Sequence, residues 1–166
     1  VMTIDKAIIL SAGKGSRLYP YTEDRPKCLL ELSGRTLLEW QLDALAAQGV
    51  EEVTVVTGFH HDMVAGVIGR RRRTGVETLF NPFYQVADNL GSVWMARGEF
   101  DRDVLLLNGD TLVGPSLIAR VLGQAPAPIV VTVDVKDGYD ADDMKVLRDG
   151  DRLLRIGKLL PPEGCN

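Results

Sequence analysis

Cysteine and histidine are scarce: the 166 residues include only Cys28, Cys165, His60 and His61. The two cysteines lie far apart without CxxC spacing, which excludes a disulfide framework and a zinc site and leaves two free thiols. The adjacent histidines have no third ligand at metal spacing and are expected at the surface. A basic excess is missing too, since 19 Lys and Arg face 23 Asp and Glu for a net charge of -4. That balance argues against a bulk electrostatic grip on nucleic acid and for a small partner. No apolar run approaches the roughly 20 residues that span a bilayer, so no membrane association is expected. The opening VMTIDK lacks a basic start, an apolar centre and a small-residue cleavage site, and a cytoplasmic location is expected. Repeats, low-complexity tracts and linkers are missing as well, so residues 1–166 are expected to form a single domain.

What is present is the mixture of an ordinary globular chain, 45% hydrophobic and 25% charged, able to bury one core. Short β-branched runs alternate with helical repeats, the pattern of strands joined by crossover helices. Strands are expected at Lys6 to Leu10, in EEVTVVTG, VETLF and VLLLNGD, and in IVVTVDV at 129–135. The uniformly apolar strands predict a sheet covered on both faces. A helix should start at Thr36, where Thr36 and Glu39 fit a capping box and Leu38, Leu42 and Leu45 recur until Gly49. Another starts near Asp62 and ends in the cations Arg70 to Arg73, which suit a helix C-terminus. Further helices are expected at Gly91 to Arg97 and Pro115 to Leu122. The segment MKVLRDGDRLLRIGK has two apolar stretches around Asp149-Gly150, a hairpin signal. The fold class is therefore α/β: a Rossmann-like, mostly parallel sheet with helices on both faces and an antiparallel β arm near the C-terminus.

The segment SAGKGSRLYPYTEDRPK, residues 11–27, follows the first strand. A glycine-rich turn there lets the backbone approach a phosphate and aims N–H donors at it. A Walker loop would need Gly-Lys-Ser/Thr after a four-residue gap, which is missing. A dinucleotide fingerprint would need glycine where Leu18 stands and an acidic residue where Thr57-Gly58 ends the second strand. What remains is Gly13 and Gly15 with two cations, Arg17 and Lys27, spaced to flank a polyphosphate. Pro26 stiffens the approach of Lys27 by fixing its own φ and restricting Arg25.

The whole stretch AIILSAGKGSRLYPYTEDRPKCLLELSGRTLLEWQLDAL resembles the signature L-A-A-G-x-G-[ST]-R-x(n)-P-K of the nucleotidyltransferases that activate sugar phosphates and alcohol phosphates, with Ser11 replacing the usual first alanine. NPFYQVADNLGSVW, LLLNGDTL and DDMKVLRDGDRLLRIGKLL resemble the branch of phosphocholine and inositol-1-phosphate cytidylyltransferases. The resemblance implies the nucleotide-diphospho-sugar transferase type of fold. It also implies attack by an acceptor phosphate oxygen on the α-phosphorus of a nucleoside triphosphate, CTP being the expected one, with release of pyrophosphate. A phosphate monoester, with a second pKa of about 6, is already largely ionised near neutrality and needs no general base. Alignment and charge neutralisation are what the protein must supply.

Carried over residue by residue, the resemblance puts Ser11, Ala12 and Gly13 against base and ribose. Gly15, Ser16 and Arg17 would cradle the phosphates, and Lys27 would act with Arg17 on the reacting α-phosphate. Asp110, closing a strand at the end where ligands of open α/β sheets collect, suits Mg²⁺. Asn89 and Ser92 would lie near the nucleotide; Asp88 stands where asparagine is frequent, which leaves base choice open. Trp94 is expected in the core. Lys158 resembles a lysine that meets the acceptor phosphate, with Lys145 in the same neighbourhood, and the Tyr84 ring could hold a quaternary ammonium such as choline. Enzymes of this pattern run beyond an IGKxL segment. The chain is therefore expected to lack the C-terminal part of the acceptor pocket and the second acidic metal ligand; only if the site were complete within residues 1–166 would Asp142 or Asp143 be candidates for that ligand. Sugar-1-phosphate and inositol-phosphate acceptors, a non-catalytic nucleotide-binding regulatory module, and a homo-oligomer stay open as alternatives.

Overall fold

A computed structural model describes residues 4–71, 74–124 and 127–161. Arg72, Arg73 and Cys165 lie outside them. The chain divides into two compact units, Val1–Gln124 and Ala125–Asn166.

The first unit is built on a four-stranded parallel sheet. Its strands are β1 (Lys6–Ser11), β4 (Glu52–Thr57), β5 (Val76–Phe80) and β6 (Leu105–Asn108), in the order β5-β4-β1-β6. Ile9 pairs with Val55 on one side and Leu107 on the other. Between β1 and β4 come a two-residue ladder, β2 (Glu31–Leu32) with β3 (Arg35–Thr36), and helix α1 (Leu37–Ala46). Helices α2 (His61–Arg70), α3 (Asn89–Met95) and α4 (Pro115–Leu122) follow.

Side chains alternate across the central strand and so feed two cores. Ala7 and Ile9 pack with Leu38, Leu42 and Leu45 of α1, Val64 and Val67 of α2 and Ile118 of α4. Ile8 and Leu10 face the other way, toward Val56, Val93 and Ala96 around α3. Helices thus cover both faces, as expected. Coverage is complete only for β1 and nearly so for β4. At the sheet edges Phe80 and Leu106 stay about half exposed, because an edge strand has a neighbour on one side only.

The α1 capping box forms as its sequence signals: Glu39 N–H donates to Thr36 Oγ1 at 3.2 Å and Thr36 N–H to Glu39 Oε2 at 2.9 Å. At the opposite end of the sheet from Ser11, Lys6 is buried and paired with Glu99 at 2.9 Å and Asp101 at 3.1 Å.

In the second unit, β7 (Lys145–Asp149) and β8 (Arg152–Gly157) form an antiparallel hairpin whose turn uses Gly150 at φ +57°, the left-handed region that the Asp-Gly pair anticipates. The expected strand at 129–135 does not form; the segment has no ladder partner among the described residues and Ile129 is 81% exposed. Its β-branched composition fits a pleated, half-buried surface, and without a paired neighbour that preference has nothing to act on. No helix among the described residues is long and apolar enough to cross a membrane.

Candidate active site

β1 delivers the chain into the glycine loop at Ser11, and β6 delivers Asn108 and Asp110 beside it, because the two strands are parallel neighbours. Between them lies a pocket of about 340 Å³. Gly13, Gly15, Arg17 and Lys27 line it from the loop side. Ser11, Asn89, Asn108, Gly109 and Asp110 line it from the strand ends and α3.

Each glycine of the loop has its own reason. Gly15 sits at φ +66°, and a Cβ there would come within 3.1 Å of Lys27 Cβ. The buried Thr22 hydroxyl donates to the Gly15 carbonyl at 2.8 Å and holds the turn from behind. Gly13 has ordinary φ, and a Cβ there would meet nothing within 4 Å. Gly13 lines the pocket and leaves it open at that point. Gly109 is required by packing: a Cβ would lie 1.9 Å from Ser11 Oγ and 2.8 Å from the Leu10 carbonyl.

Opposite charges meet across the pocket. Lys27 Nζ donates to Asp110 Oδ2 at 2.7 Å, with both side chains partly exposed. Partial burial works to raise the Asp110 carboxyl, but the hydrogen bond and charge of Lys27 outweigh it and hold the group below the ordinary carboxylate range. Lys27 opens a short 3₁₀ turn, Lys27–Leu29, whose next residue, Cys28, is buried. Burial pushes the Cys28 thiol up to about 11, against a smaller opposing influence of the Ser11 hydroxyl, so this cysteine is a neutral, unreactive part of the wall. Ser11 Oγ itself is buried without a well-formed hydrogen bond.

Seven of the residues singled out in the sequence therefore share one pocket: Ser11, Gly13, Gly15, Arg17, Lys27, Asn89 and Asp110. Others sit elsewhere. Ala12 is buried, its carbonyl accepting from Phe59 N–H at 3.0 Å. Ser16 is exposed at the start of a 3₁₀ turn. Ser92 is 3% exposed, and its hydroxyl accepts from Asn81 Nδ2 at 3.1 Å, inside the packing of α3. Tyr84 lies across Gly58, where a Cβ would meet the tyrosine Cβ at 2.5 Å and the Ala12 carbonyl at 2.6 Å. Trp94, expected in the core, is 66% exposed.

In the second unit, Lys158 pairs with Asp142 at 3.1 Å, and Lys145 Nζ donates to the carbonyls of Asp140 and Asp143 at 3.3 Å. His61 faces the Thr57 hydroxyl at 2.7 Å, and no group of three or more His, Cys, Asp or Glu residues capable of holding a metal occurs among the described residues. A larger and more open depression runs along α3 past Leu90, Trp94 and Phe100. Its lining is apolar apart from Arg97 and Asp88, so it lacks the converging donors that a triphosphate needs.

Asn108 and Gly109 are pocket residues beyond the candidates drawn from sequence; their signal was the NGD triplet, of which only the aspartate was used. Gln41, buried behind the pocket and donating to the Asn108 and Thr111 carbonyls, also escaped the sequence reading, although a polar residue inside the apolar stripe of α1 signalled it.

The chain has known relatives. Over 126 residues the chain is 36% identical to the CMP-5'-(3-aminopropyl)phosphonate synthase of Streptomyces rubellomurinus, covering 75% of this chain and 20% of that protein. It is 32% identical over 94 residues to the choline-phosphate cytidylyltransferase of Streptococcus pneumoniae, covering 57% of this chain and 40% of that one. The inositol-1-phosphate CTP transferase structure from T. maritima superposes with a TM-score of 0.83 at 22% identity, over 99% of this chain and 68% of that chain, a likeness of fold. The chain thus spans less than half the length of the two curated relatives. Residues 7–141 match the MobA-like NTP transferase domain, and with the glycine loop, Lys27 and Asp110 all inside that span, the chain belongs to this family of nucleotidyltransferases.

Proposed function

We propose that the protein is a Mg²⁺-dependent cytidylyltransferase of the cytoplasm that transfers CMP from CTP to a small phosphorylated alcohol or phosphonate and releases pyrophosphate. The observation that carries this reading is the pairing of Lys27 with Asp110 at 2.7 Å across a pocket floored by Gly13 and Gly15. A nucleotidyl transfer breaks the bond between the α- and β-phosphates and makes one from the acceptor oxygen to the α-phosphorus. The acceptor arrives as an anion, so no protein base is needed.

The chain's own groups then have defined tasks. The loop around Gly13 and Gly15 offers backbone N–H groups to the triphosphate. Arg17 and Lys27 offset charge on the phosphates, Lys27 most strongly as the α-phosphate reacts. Asn89 and Ser11 border the nucleoside, and Lys158 and Tyr84 are assigned to the acceptor through the resemblance of their segments. Asp110 fits Mg²⁺: a single carboxylate suffices for an ion that takes its remaining ligands from phosphate oxygens and water. Bound there, Mg²⁺ would neutralise phosphate charge. Lys27 would exchange its contact with Asp110 for one with the phosphate, which the partial exposure of both side chains permits.

The test is pyrophosphate release by the purified full-length protein offered CTP, UTP or ATP with Mg²⁺ and one of phosphocholine, inositol 1-phosphate, 2-aminoethylphosphonate or a sugar 1-phosphate. Release with CTP and an alcohol phosphate or phosphonate is expected. Saturable CTP binding without turnover on any acceptor would instead mark a nucleotide-binding regulatory module.

A further inference from the structure

Gln41 stands on the buried face of α1, fully enclosed, three residues after Leu38 and one before Leu42. An apolar residue of similar volume would suit that stripe. Instead, the Gln41 amide nitrogen donates to the Asn108 carbonyl at 2.8 Å and to the Thr111 carbonyl at 2.7 Å. Two carbonyl partners fix the amide orientation, because the flipped group would set oxygen against oxygen. The cost is visible: Gln41 Oε1 is buried with no hydrogen-bond partner. A buried amide that satisfies its nitrogen and orphans its oxygen is poorly explained by stability alone.

The two carbonyls it holds bracket Asp110. Gly109 N–H donates to the Leu10 carbonyl at 2.8 Å from the β1 side. The segment 108–111 is therefore pinned to β1 through Gly109 and to α1 through Gln41, and its one carboxylate projects into the pocket toward Lys27. The Asn108 side chain, oriented by the same backbone, accepts from Asn89 at 3.4 Å on the nucleoside side.

We infer that Gln41 is a positioning residue: by clamping the carbonyls on either side of Asp110, it sets the carboxylate where Mg²⁺ and the nucleotide phosphates would meet. This deepens the function proposed above and rests on its assignment of Asp110. Partners that orient a metal-binding side chain typically matter by about 10- to 100-fold in metal affinity or activity.

The test compares wild type, Gln41→Met, Asp110→Asn and the double variant. Mn²⁺ affinity in the presence of CTP is read by electron paramagnetic resonance, backbone protection of residues 109–111 by hydrogen exchange, and turnover separately as kcat and KM for CTP. Gln41→Met should weaken Mn²⁺ about 10-fold or more and lower kcat with KM for CTP little changed, while exchange speeds up at 109–111 and not in β4. In the Asp110→Asn background, adding Gln41→Met should change Mn²⁺ affinity by less than about two-fold, since the two act through one group. If Gln41→Met does not fold, Gln41→Asn keeps the amide but is one methylene too short to reach both carbonyls, and the same losses are expected. Wild-type Mn²⁺ affinity and kcat in a folded Gln41 variant would overturn the positioning role and leave the function standing. A wild-type chain that binds neither CTP nor Mn²⁺ would overturn the function and this inference with it.

Discussion

The two units of the chain differ in how far their strands are buried. Up to Gln124, every residue of β1 is buried, two cores form on the two faces of one sheet, and the pocket lies at the ends of β1 and β6. From 127 to 161, Ile129, Val135, Leu154 and Ile156 are exposed by about half or more, and polar turns organise the chain: Asp140 and Asp143 cap one another's backbone, and Lys136 pairs with Asp143 at 2.6 Å. The contrast teaches where precision resides. The groups proposed to meet a triphosphate sit in a loop and turns anchored at the ends of β1 and β6, whereas Lys158, the residue assigned to the acceptor, follows a hairpin whose β8 side chains are largely exposed.

The sharpest way to break that contrast is Lys27→Ala. Loss of one preorganised electrostatic contact typically costs about 10² to 10³ in rate, and the expected loss is in kcat, with CTP affinity nearly unchanged. Steady-state kinetics paired with equilibrium CTP binding would reveal it, and a near-normal kcat would remove Lys27 from the chemistry. Next in size is Gly15→Ala. A side chain at φ +66°, pressed to 3.1 Å from Lys27 Cβ, should cost about 1–2 kcal/mol of stability and displace Lys27 as well. Thermal unfolding would show a lowered Tm; an unchanged Tm would mean that the loop relaxes freely.

Lys158→Ala should separate the units. A hydrogen bond to a charged group is worth about 1.5 kcal/mol, so KM for the acceptor should rise roughly ten-fold with CTP affinity and Tm unmoved. A CTP-binding defect in this variant would contradict the division of labour. The smallest effect concerns acid. Because Lys27 holds the folded-state value of Asp110 below its unfolded value, the stabilisation is present above the unfolded value and vanishes as pH falls through the folded one, a window below about pH 4. Asp110→Asn should therefore flatten part of the decline of Tm across that window, and superimposable wild-type and variant profiles would show that the ion pair contributes nothing.

Much of this was written in local chemistry. β1 and β4 are legible because both faces of a central strand are apolar, α1 because Thr36 and Glu39 announce its start, and the hairpin because Asp149-Gly150 demands a left-handed turn. That Gly13, Gly15, Arg17 and Lys27 share one pocket is legible because they follow one strand closely in sequence. What escapes is set by neighbours distant in sequence. The run at 129–135 carries strand propensity without a ladder partner among the described residues. The hydroxyl of Ser92 is turned inward by Asn81, eleven residues away, and Gln41 is explained by carbonyls 67 and 70 residues further on. No periodicity reports such contacts. For Gln41, a polar residue at an apolar position was the available sign.

The central claim is that the pocket between β1 and β6 moves a nucleotidyl group. Following CTP labelled separately at the α- and γ-phosphates, with Mg²⁺ and phosphocholine or 2-aminoethylphosphonate, tests it most directly. The α label should enter the acceptor product while the γ label appears in pyrophosphate, and Lys27→Ala should slow both by about 10²- to 10³-fold. A γ label found on the acceptor, or CTP left intact by a chain that is folded and binds it, would contradict the account.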